Sequence, residues 1–265
     1  MNFSFFYSRR KKGSALLRGY QMAQYLKAKC NPKTEYENDV CIFVKIGWHD
    51  PYPKRTYLDI IDAGKWLPWL KSHPTIGVIA TSKIAKEFLK EYLSRDDIRL
   101  IPHHHCNYER WVRPDREVKV VGIIGSKNAF RFPIEEFRKR LKDIGLELKF
   151  NYSHIMKKRE EVVNFFKEID IHVTWRIKAF CVLLKNPLKL SNACSFGIPT
   201  VAYPERSFVS EYNSYFFPVY SIDEMIEAIK LLKNNHDLYR WYAEKGIKKA
   251  EEYHIENIAK LYMKL

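Results

Sequence analysis

Residues 185–202 constrain the fold most, because they carry the signals of a helix followed at once by a buried strand. Asn186-Pro187 can begin a helix, since proline is preorganised for the first helical position. Gly197 followed by Pro199 can end it. Residues 198–203 then form a short apolar run that is typical of a buried strand. We therefore predict a helix of about ten residues that leads back into a parallel sheet.

The predicted first turn of this helix is positively charged. Lys185 and Lys189 lie beside the backbone N–H groups that lack a partner within a helix. A helix N-terminus with added cations favours an anion such as a phosphate. The stretch therefore predicts an anion-binding site, although a plain helix–strand joint that binds nothing is the alternative.

Strand-like and helix-like segments alternate along the whole chain. Strands are predicted at residues 2–8, 39–46, 56–61, 75–81 and 98–102, and again at 118–124, 146–151 and 169–175. This alternation predicts an α/β fold with parallel sheets and crossover helices. A chain of 265 residues allows two compact domains, and 46% hydrophobic residues exclude a disordered chain. Ligands of such folds bind beyond the carboxyl ends of the strands.

Two stretches share a pattern with a known group of enzymes. The first reads P-x-K-L-x-N over residues 187–192 and G-I-P over 197–199, and the second reads I-P at 101–102 and R-W-x-R-P at 110–114. Together they resemble the GT-B glycosyltransferases, most closely the large retaining family that uses nucleotide-diphosphate sugars (glycosyltransferase family 4). The first stretch is similar to the donor-binding helix of that family.

The resemblance implies two Rossmann-like domains that face each other across a cleft. It implies a shortened acceptor-side domain over residues 1–112, a donor-binding domain over 113–250, and a C-terminal helix at 251–265 that crosses back toward the first domain. The activity it implies is transfer of a hexosyl group from a UDP- or GDP-sugar. The donor is a substrate, and no further cofactor is expected.

The resemblance also assigns residues to the donor. A Gly-containing basic loop after the first strand and a basic residue after the strand at 118–124 take the places of the family's phosphate contacts. We expect no metal, because no Asp-x-Asp motif follows a predicted strand. The expected donor-binding residues are Gly13, Ser14, Arg18, Ser126, Lys127, Lys185, Asn186, Lys189 and Asn192.

The catalytic carboxylates of the retaining family have no counterpart here. That family carries two glutamates spaced eight residues apart, and Leu184 and Asn192 occupy these positions. The stereochemical course is therefore open. Inversion needs a base from the first domain, and the candidates at strand ends are His49 and Asp62, with Asp50 beside His49. A chain that has lost catalysis and only binds its ligand is an alternative.

The run His103-His104-His105 is the most unusual feature of the second stretch. Three imidazoles suggest a metal site, but neighbouring residues of an extended segment point in alternate directions and do not converge on one ion. A histidine that lines the cleft is the favoured interpretation, and metal binding is the alternative.

The net charge limits the kinds of partner that the protein can have, and the cysteine content limits its cellular compartment. The net charge of +15 indicates an anionic partner, such as the nucleotide sugar itself, a nucleic acid or an anionic lipid surface. DNA as the acceptor is one alternative. Trp66 and Trp69, flanked by lysines, could instead contact a membrane, although such residues more often cover a core.

Five scattered cysteines without a CxxC pair favour a cytoplasmic protein. Peripheral association with a membrane is the alternative location.

Overall fold

The computed structural model describes residues 1–9, 13–47, 51–125, 130, 132–152, 158–176 and 182–265. The chain divides into two compact units, each with its own parallel sheet and flanking helices. The predicted α/β class with two Rossmann-like domains is confirmed. Unit 1 comprises Met1–His104, Ala179–Asn186 and Ile255–Leu265, and unit 2 comprises His105–Lys178 and Pro187–His254.

Unit 1 is built on a six-stranded sheet in the order β2-β1-β3-β4-β5-β6, in which every neighbouring pair is parallel. The strands β1 and β3 are buried along their whole length, as strands covered on both faces must be. The two-residue edge strand β2 has no counterpart among the predicted strands. The strands are β1 (Phe3–Phe6), β2 (Lys29–Cys30), β3 (Val40–Val44), β4 (Thr56–Asp59), β5 (Gly77–Ala80) and β6 (Arg99–Leu100).

The helices of unit 1 cover this sheet. A wide π-helical segment, Ala15–Gln21, runs directly into α1 (Met22–Tyr25). A short 3₁₀ turn, Gly64–Trp66, precedes α2 (Leu67–Ser72). The helix α3 (Lys83–Leu93) begins after Ser82, whose side chain accepts a hydrogen bond from the Ala85 N–H, as an N-cap serine typically does. A 3₁₀ turn, Val182–Leu184, and the C-terminal helix Ile255–Tyr262 complete the unit.

Unit 2 is built on a five-stranded sheet in the order β11-β10-β9-β7-β8, again with every neighbouring pair parallel. The edge strand β11 and the helix α7 have no predicted counterpart. The strands are β7 (Val120–Gly125), β8 (Glu147–Tyr152), β9 (Ile171–Thr174), β10 (Thr200–Ala202) and β11 (Phe217–Pro218). The helices are α4 (Ile134–Asp143), α5 (Arg159–Lys167), α6 (Leu188–Ser195), α7 (Arg206–Tyr212), α8 (Ile222–Asn234) and α9 (His236–Ala250).

The tryptophan pair Trp66 and Trp69 packs against the core of unit 1. The Trp66 indole N–H also donates to the backbone carbonyl of Lys45 at 3.0 Å. Both rings are only partly exposed, which favours the core-covering interpretation over membrane contact. Among the described residues, no helix combines the length and the apolar character needed to cross a bilayer.

Asp170 organises the amino end of the unit 2 sheet. It lies just before β9 and is 1% exposed. One carboxylate oxygen accepts from Arg113 at 2.8 Å and from Arg116 at 2.9 Å. The other accepts from the backbone N–H groups of Lys119 and Val120, both at 2.9 Å. Burial would raise the pKa of Asp170, but the two backbone N–H groups and Arg113 outweigh it and hold the pKa below its ordinary value. The carboxylate is therefore charged when the protein is folded.

We expect Asp170→Asn to lower the free energy of unfolding by about 3 kcal/mol or more, because it leaves the Arg113 guanidinium buried without its counter-charge. Because the folded pKa of Asp170 is depressed, the advantage of the wild type is full at neutral pH. It is lost as the pH falls below the ordinary value for aspartate, about 3.9. Urea unfolding at pH 7 and at pH 3 measures both effects.

The matched control is Asp143→Asn, an exposed carboxylate on the last turn of α4. It should change the free energy of unfolding by no more than about 0.5 kcal/mol. An equal loss in the two variants would contradict the role given to Asp170.

Candidate functional site

The helix α6 forms because its sequence supplies both ends. Pro187 is the N-cap and Leu188 the first helical residue, so the helix begins one residue later than predicted and has eight residues. At the other end Gly197 has φ +68°, a left-handed conformation that glycine adopts without strain. There the N–H of Gly197 donates to Cys194 O and the N–H of Ile198 to Ala193 O, at 3.0 Å each. The chain then enters β10, so the predicted helix–strand joint is confirmed.

The first turn of α6 contacts the carboxyl end of a strand. The Lys189 ammonium donates to Thr174 Oγ1 at 2.9 Å, and Thr174 is the last residue of β9. A helix N-terminus carries a partial positive charge, and the Lys189 ammonium adds a full one. The carboxyl edge of the unit 2 sheet therefore has the electrostatics of an anion site.

Arg176 is a further cation at this edge that the sequence analysis missed. It follows β9 by two residues, and its guanidinium forms a bidentate ion pair with Glu205, with N–O distances of 2.7 and 2.5 Å. Glu205 follows β10, the neighbouring strand. The sequence offers one indication of this role, which is that Arg176 comes directly after a predicted buried strand.

The predicted residues Ser126 and Lys127 lie outside the described residues. The strand β7 ends at Gly125 and is the neighbour of β9 in the sheet. The chain therefore enters this segment at the same edge as Thr174. Their role toward a phosphate stays a prediction.

Asn192 lies on α6 but serves the packing of unit 2. It is 8% exposed, and its carboxamide oxygen accepts from the backbone N–H of Cys106 at 2.9 Å. Nearby, Asn107 donates to the backbone carbonyl of Ser195 at 2.7 Å, and the Arg113 N–H donates to Phe196 O at 2.9 Å. The part of the second stretch that lies in unit 2 thus packs on α6, the helix of the first stretch.

In unit 1 the main polar cluster is centred on Asp62, which follows β4. One of its carboxylate oxygens accepts from the Lys45 ammonium and the other from the Lys185 ammonium, at 2.5 Å each. Burial would raise the pKa of Asp62, but the hydrogen bonds from Lys185 and Lys45 outweigh it and hold the pKa well below the ordinary value. A carboxylate with so low a pKa is a weak proton acceptor. The geometry therefore favours charge pairing by Asp62 over general-base catalysis.

Arg18 is completely buried at the carboxyl end of the same sheet. Its Nε donates to Asp59 at 2.7 Å and its Nη1 to the Pro102 carbonyl at 2.5 Å. Its guanidinium also lies 5.4 Å from the centre of the Tyr262 ring. A side chain with 0% exposure is held in the core of unit 1, so its location favours a structural role over direct contact with a donor phosphate.

The predicted loop residues Gly13 and Ser14 lie at the start of the helical segment that carries Arg18. Gly13 has φ +53°, and its carbonyl accepts from the N–H groups of Leu16 and Leu17. Asn186 belongs to unit 1, at the end of the segment that contains Lys185. The predicted base His49 and its neighbour Asp50 lie outside the described residues.

The three histidines are all buried, and their ring nitrogens have different surroundings. His104 Nε2 lies 3.0 Å from the Leu17 carbonyl, and His105 Nδ1 accepts from the Asn107 N–H at 3.2 Å. Burial is the main cause that lowers the pKa of His103 well below 6.5, and the nearby charge of Arg18 lowers it further. This ring is therefore neutral. Backbone groups thus occupy a nitrogen of His104 and of His105, and the alternative of one metal ion shared by the run is disfavoured.

No model of a known protein family matches the sequence, and no curated protein matches it. The fold does match solved structures. TarM superposes on 88% of the chain with a TM-score of 0.56 at 15% identity, and 51% of TarM is covered. The α,α-trehalose 6-phosphate synthase of Burkholderia multivorans superposes on 86% with a TM-score of 0.53 at 9% identity, and 66% of that enzyme is covered. The chain thus spans between half and two thirds of these proteins and shares their fold.

Proposed function

We propose that the chain is a glycosyltransferase that takes a hexosyl group from a nucleotide-diphosphate sugar, with UDP- and GDP-sugars as the favoured donors. The observation that carries the proposal is the Lys189–Thr174 contact, which joins the first turn of α6 to the carboxyl end of β9. Phosphates bind at helix N-termini, and ligands of parallel α/β sheets bind at this edge. The likeness in fold to a synthase of α,α-trehalose 6-phosphate supports the same class.

The diphosphate needs compensation of about two negative charges. Lys189 and the dipole of α6 supply part of it. Lys127, two residues after the end of β7, is the proposed second cation, with Ser126 as a hydroxyl donor to phosphate oxygen. Arg176 adds positive charge at the same edge, although Glu205 neutralises much of it. The nucleotide ribose is the proposed partner of the Asn192 amide nitrogen, because the amide oxygen already binds Cys106.

In the proposed reaction the bond between the anomeric carbon and the diphosphate oxygen breaks, and the diphosphate leaves with the electron pair. An acceptor oxygen forms the new bond to that carbon, and its proton passes to a base. The transition state resembles an oxocarbenium ion. Fixed cations stabilise the leaving diphosphate without reorganising, so the proposed reaction is metal-independent.

The base and the unit 1 contacts remain proposals from the sequence. His49 is the favoured base, since the low pKa of Asp62 makes that carboxylate the weaker acceptor of a proton. Gly13, Ser14 and Asn186 are retained as proposed donor contacts, whereas the Lys185 ammonium is paired with Asp62. Arg18 would act by holding the segment that follows Gly13.

A catalytically inactive binding protein is the second candidate. Two observations favour it: Leu184 is buried in the apolar core of unit 1, and the Asn192 side chain is hydrogen-bonded to the backbone. Such a protein would bind the nucleotide sugar and leave its anomeric bond intact. Release of free nucleoside diphosphate over time, followed by chromatography, separates the two candidates.

We expect a UDP- or GDP-sugar at about 100 times its Kd to raise the melting temperature by about 5 °C or more, since saturation stabilises the folded state by about 2.7 kcal/mol. Lys189→Ala and Lys127→Ala should each remove most of the shift. Thermal melts with UDP-, GDP- and ADP-sugars measure this and identify the base of the donor.

The control for that experiment is Lys119→Ala. Lys119 is exposed at the amino end of the unit 2 sheet, so the substitution makes the same change of charge at the opposite edge. Its shift should equal that of the wild type. The proposed diphosphate site is contradicted if no nucleotide sugar changes the melting temperature, or if all three variants lose the shift equally.

We expect Asn192→Ala to lower the free energy of unfolding by about 1–2 kcal/mol, because the buried Cys106 N–H loses its acceptor. It should also weaken nucleotide binding if the amide nitrogen holds the ribose. Urea unfolding and nucleotide titration separate the two roles. Asn234→Ala, an exposed asparagine at the end of α8, is the control, and an equal loss of stability there would contradict the packing role.

A further inference from the structure

Most of the excess positive charge belongs to unit 1. Its segments hold 21 Lys and Arg against 11 Asp and Glu, a net charge of +10, whereas unit 2 holds 25 against 20, a net charge of +5. The proposed donor site lies in unit 2. The charge of unit 1 therefore favours the binding of a second anionic ligand.

The topology of unit 1 gathers cations at one edge of its sheet. Because its strands are parallel, the residues that follow them lie at the carboxyl edge. In the described part of these loops Arg9 follows β1, Lys45 follows β3 and Lys65 follows β4. Lys185 reaches the same edge, because its ammonium contacts Asp62. Asp59, another carboxylate at this edge, is already paired with Arg18.

Asp62 holds two of these cations in place. The side chains of Lys45 and Lys185 are 34% and 23% exposed, and that of Asp62 is 26% exposed. An ammonium has three N–H donors, and the bond to Asp62 uses one from each lysine. The arrangement therefore presents two ammonium groups with fixed positions and a surplus of one positive charge. Fixing them in advance reduces the entropy lost on binding a ligand.

The backbone of Lys45 is constrained to an unusual conformation. Its φ is +57°, in the left-handed region that residues other than glycine rarely adopt. The Lys45 N–H donates to Asp59 O at 3.0 Å, and its carbonyl accepts from the Trp66 indole. Such strain persists only where surrounding contacts impose it, and it is concentrated at binding sites. The constraint sets the direction of the Lys45 side chain.

Three buried polar atoms beside this cluster lack a hydrogen-bond partner in the described structure: Arg18 Nη2, Asp59 Oδ1 and His103 Nδ1. His103 is 4% exposed, and the charges of Arg18, Asp62 and Lys45 all act on its ring. Buried polar atoms without partners are rare in native proteins and indicate an ordered water or a ligand. Asp59 and His103 thus lie within electrostatic range of the Lys45 ammonium.

A single anionic group fits this cluster better than a long polyanion does. Lys45 and Lys185 converge on one carboxylate, whereas a nucleic-acid backbone is bound by cations spread along a track. Lysine is a common ligand of phosphate, to which it presents a point charge with several donors. A phosphate also offers more acceptor oxygens than a carboxylate does.

We propose that Lys45 and Lys185, positioned by Asp62, bind the phosphate group of a second ligand, which is either free in solution or a lipid headgroup. Naming this molecule as the acceptor of the sugar rests on the proposed function. The phosphate site itself rests on unit 1 alone. Its failure and that of the donor site can therefore be observed separately.

The test measures phosphate binding without any nucleotide. Glycerol 3-phosphate is titrated into the full chain by calorimetry, with glycerol as the uncharged match. Vesicles of phosphatidylglycerol and of phosphatidylcholine, assayed by co-sedimentation, provide the lipid arm. We expect glycerol 3-phosphate to bind while glycerol does not, or phosphatidylglycerol vesicles to bind while phosphatidylcholine vesicles do not. Binding in the first arm alone identifies a soluble acceptor, and binding in the second alone identifies a lipid.

Three lysine variants locate the site. Lys45→Met and Lys185→Met should each weaken phosphate binding by about tenfold or more, as the loss of a charge-assisted hydrogen bond does. Lys54→Met, an exposed lysine before β4 at the amino edge of the same sheet, should weaken it by about twofold or less because of screening. Methionine keeps the Cβ and an unbranched apolar chain as far as Cε, so the backbone conformation at residue 45 is under the same constraint. Melting temperatures confirm folding.

The proposal is overturned if neither phosphate probe binds, or if the three variants weaken binding equally. It is also overturned if a DNA duplex binds more tightly than either probe with a steep salt dependence that all three lysines share, since that result indicates a nucleic-acid surface. The nucleotide-induced shift in melting temperature, measured on Lys45→Met, shows whether the donor site stays intact.

Discussion

Parallel pairing of every described strand is the constraint on which both units depend. Strands that run the same way end at the same edge, so the residues that follow them are brought together whatever their separation in sequence. Strands such as β1 and β3 are buried along their whole length, which leaves the edges of the sheet as the place for charged side chains. In unit 2 this brings Arg176 to Glu205 across 29 residues, and in unit 1 it brings Lys45 to Asp62 across 17.

The fold could be predicted from the sequence wherever an element carries its own signal. The strands β3 and β9 are apolar runs long enough to be recognised, and α6 has a proline before it and a glycine in a left-handed conformation after it. The edge strands β2 and β11 have two residues each, too few for any periodicity. They are strands only because a neighbour pairs with them, and that information is not local.

The same distinction applies to the candidate site. Lys189 could be predicted because its position on a helix is a local property. The ion pairs of Arg176 and Lys185 could not, because each partner lies on a different loop and is brought there by the sheet. Asn192 could be placed on the helix, but the hydrogen bond to Cys106 spans 86 residues. Its structural role depends on the packing of the segment before β7 against α6, which the local sequence does not specify.

Leu184 and Asn192 stand where the family that the sequence resembles carries glutamates, and the structure gives each of them a packing role. Leu184 belongs to the apolar core of unit 1 and is 3% exposed, where a carboxylate would lose its hydration without gaining a partner. At position 192 the side chain must accept a hydrogen bond from a buried backbone N–H, a task that a short neutral amide performs without placing a charge in the core. Both positions thus serve folding in this chain. Neither position supplies a carboxylate, because the apolar packing around Leu184 and the hydrogen bond accepted by Asn192 both favour an uncharged side chain.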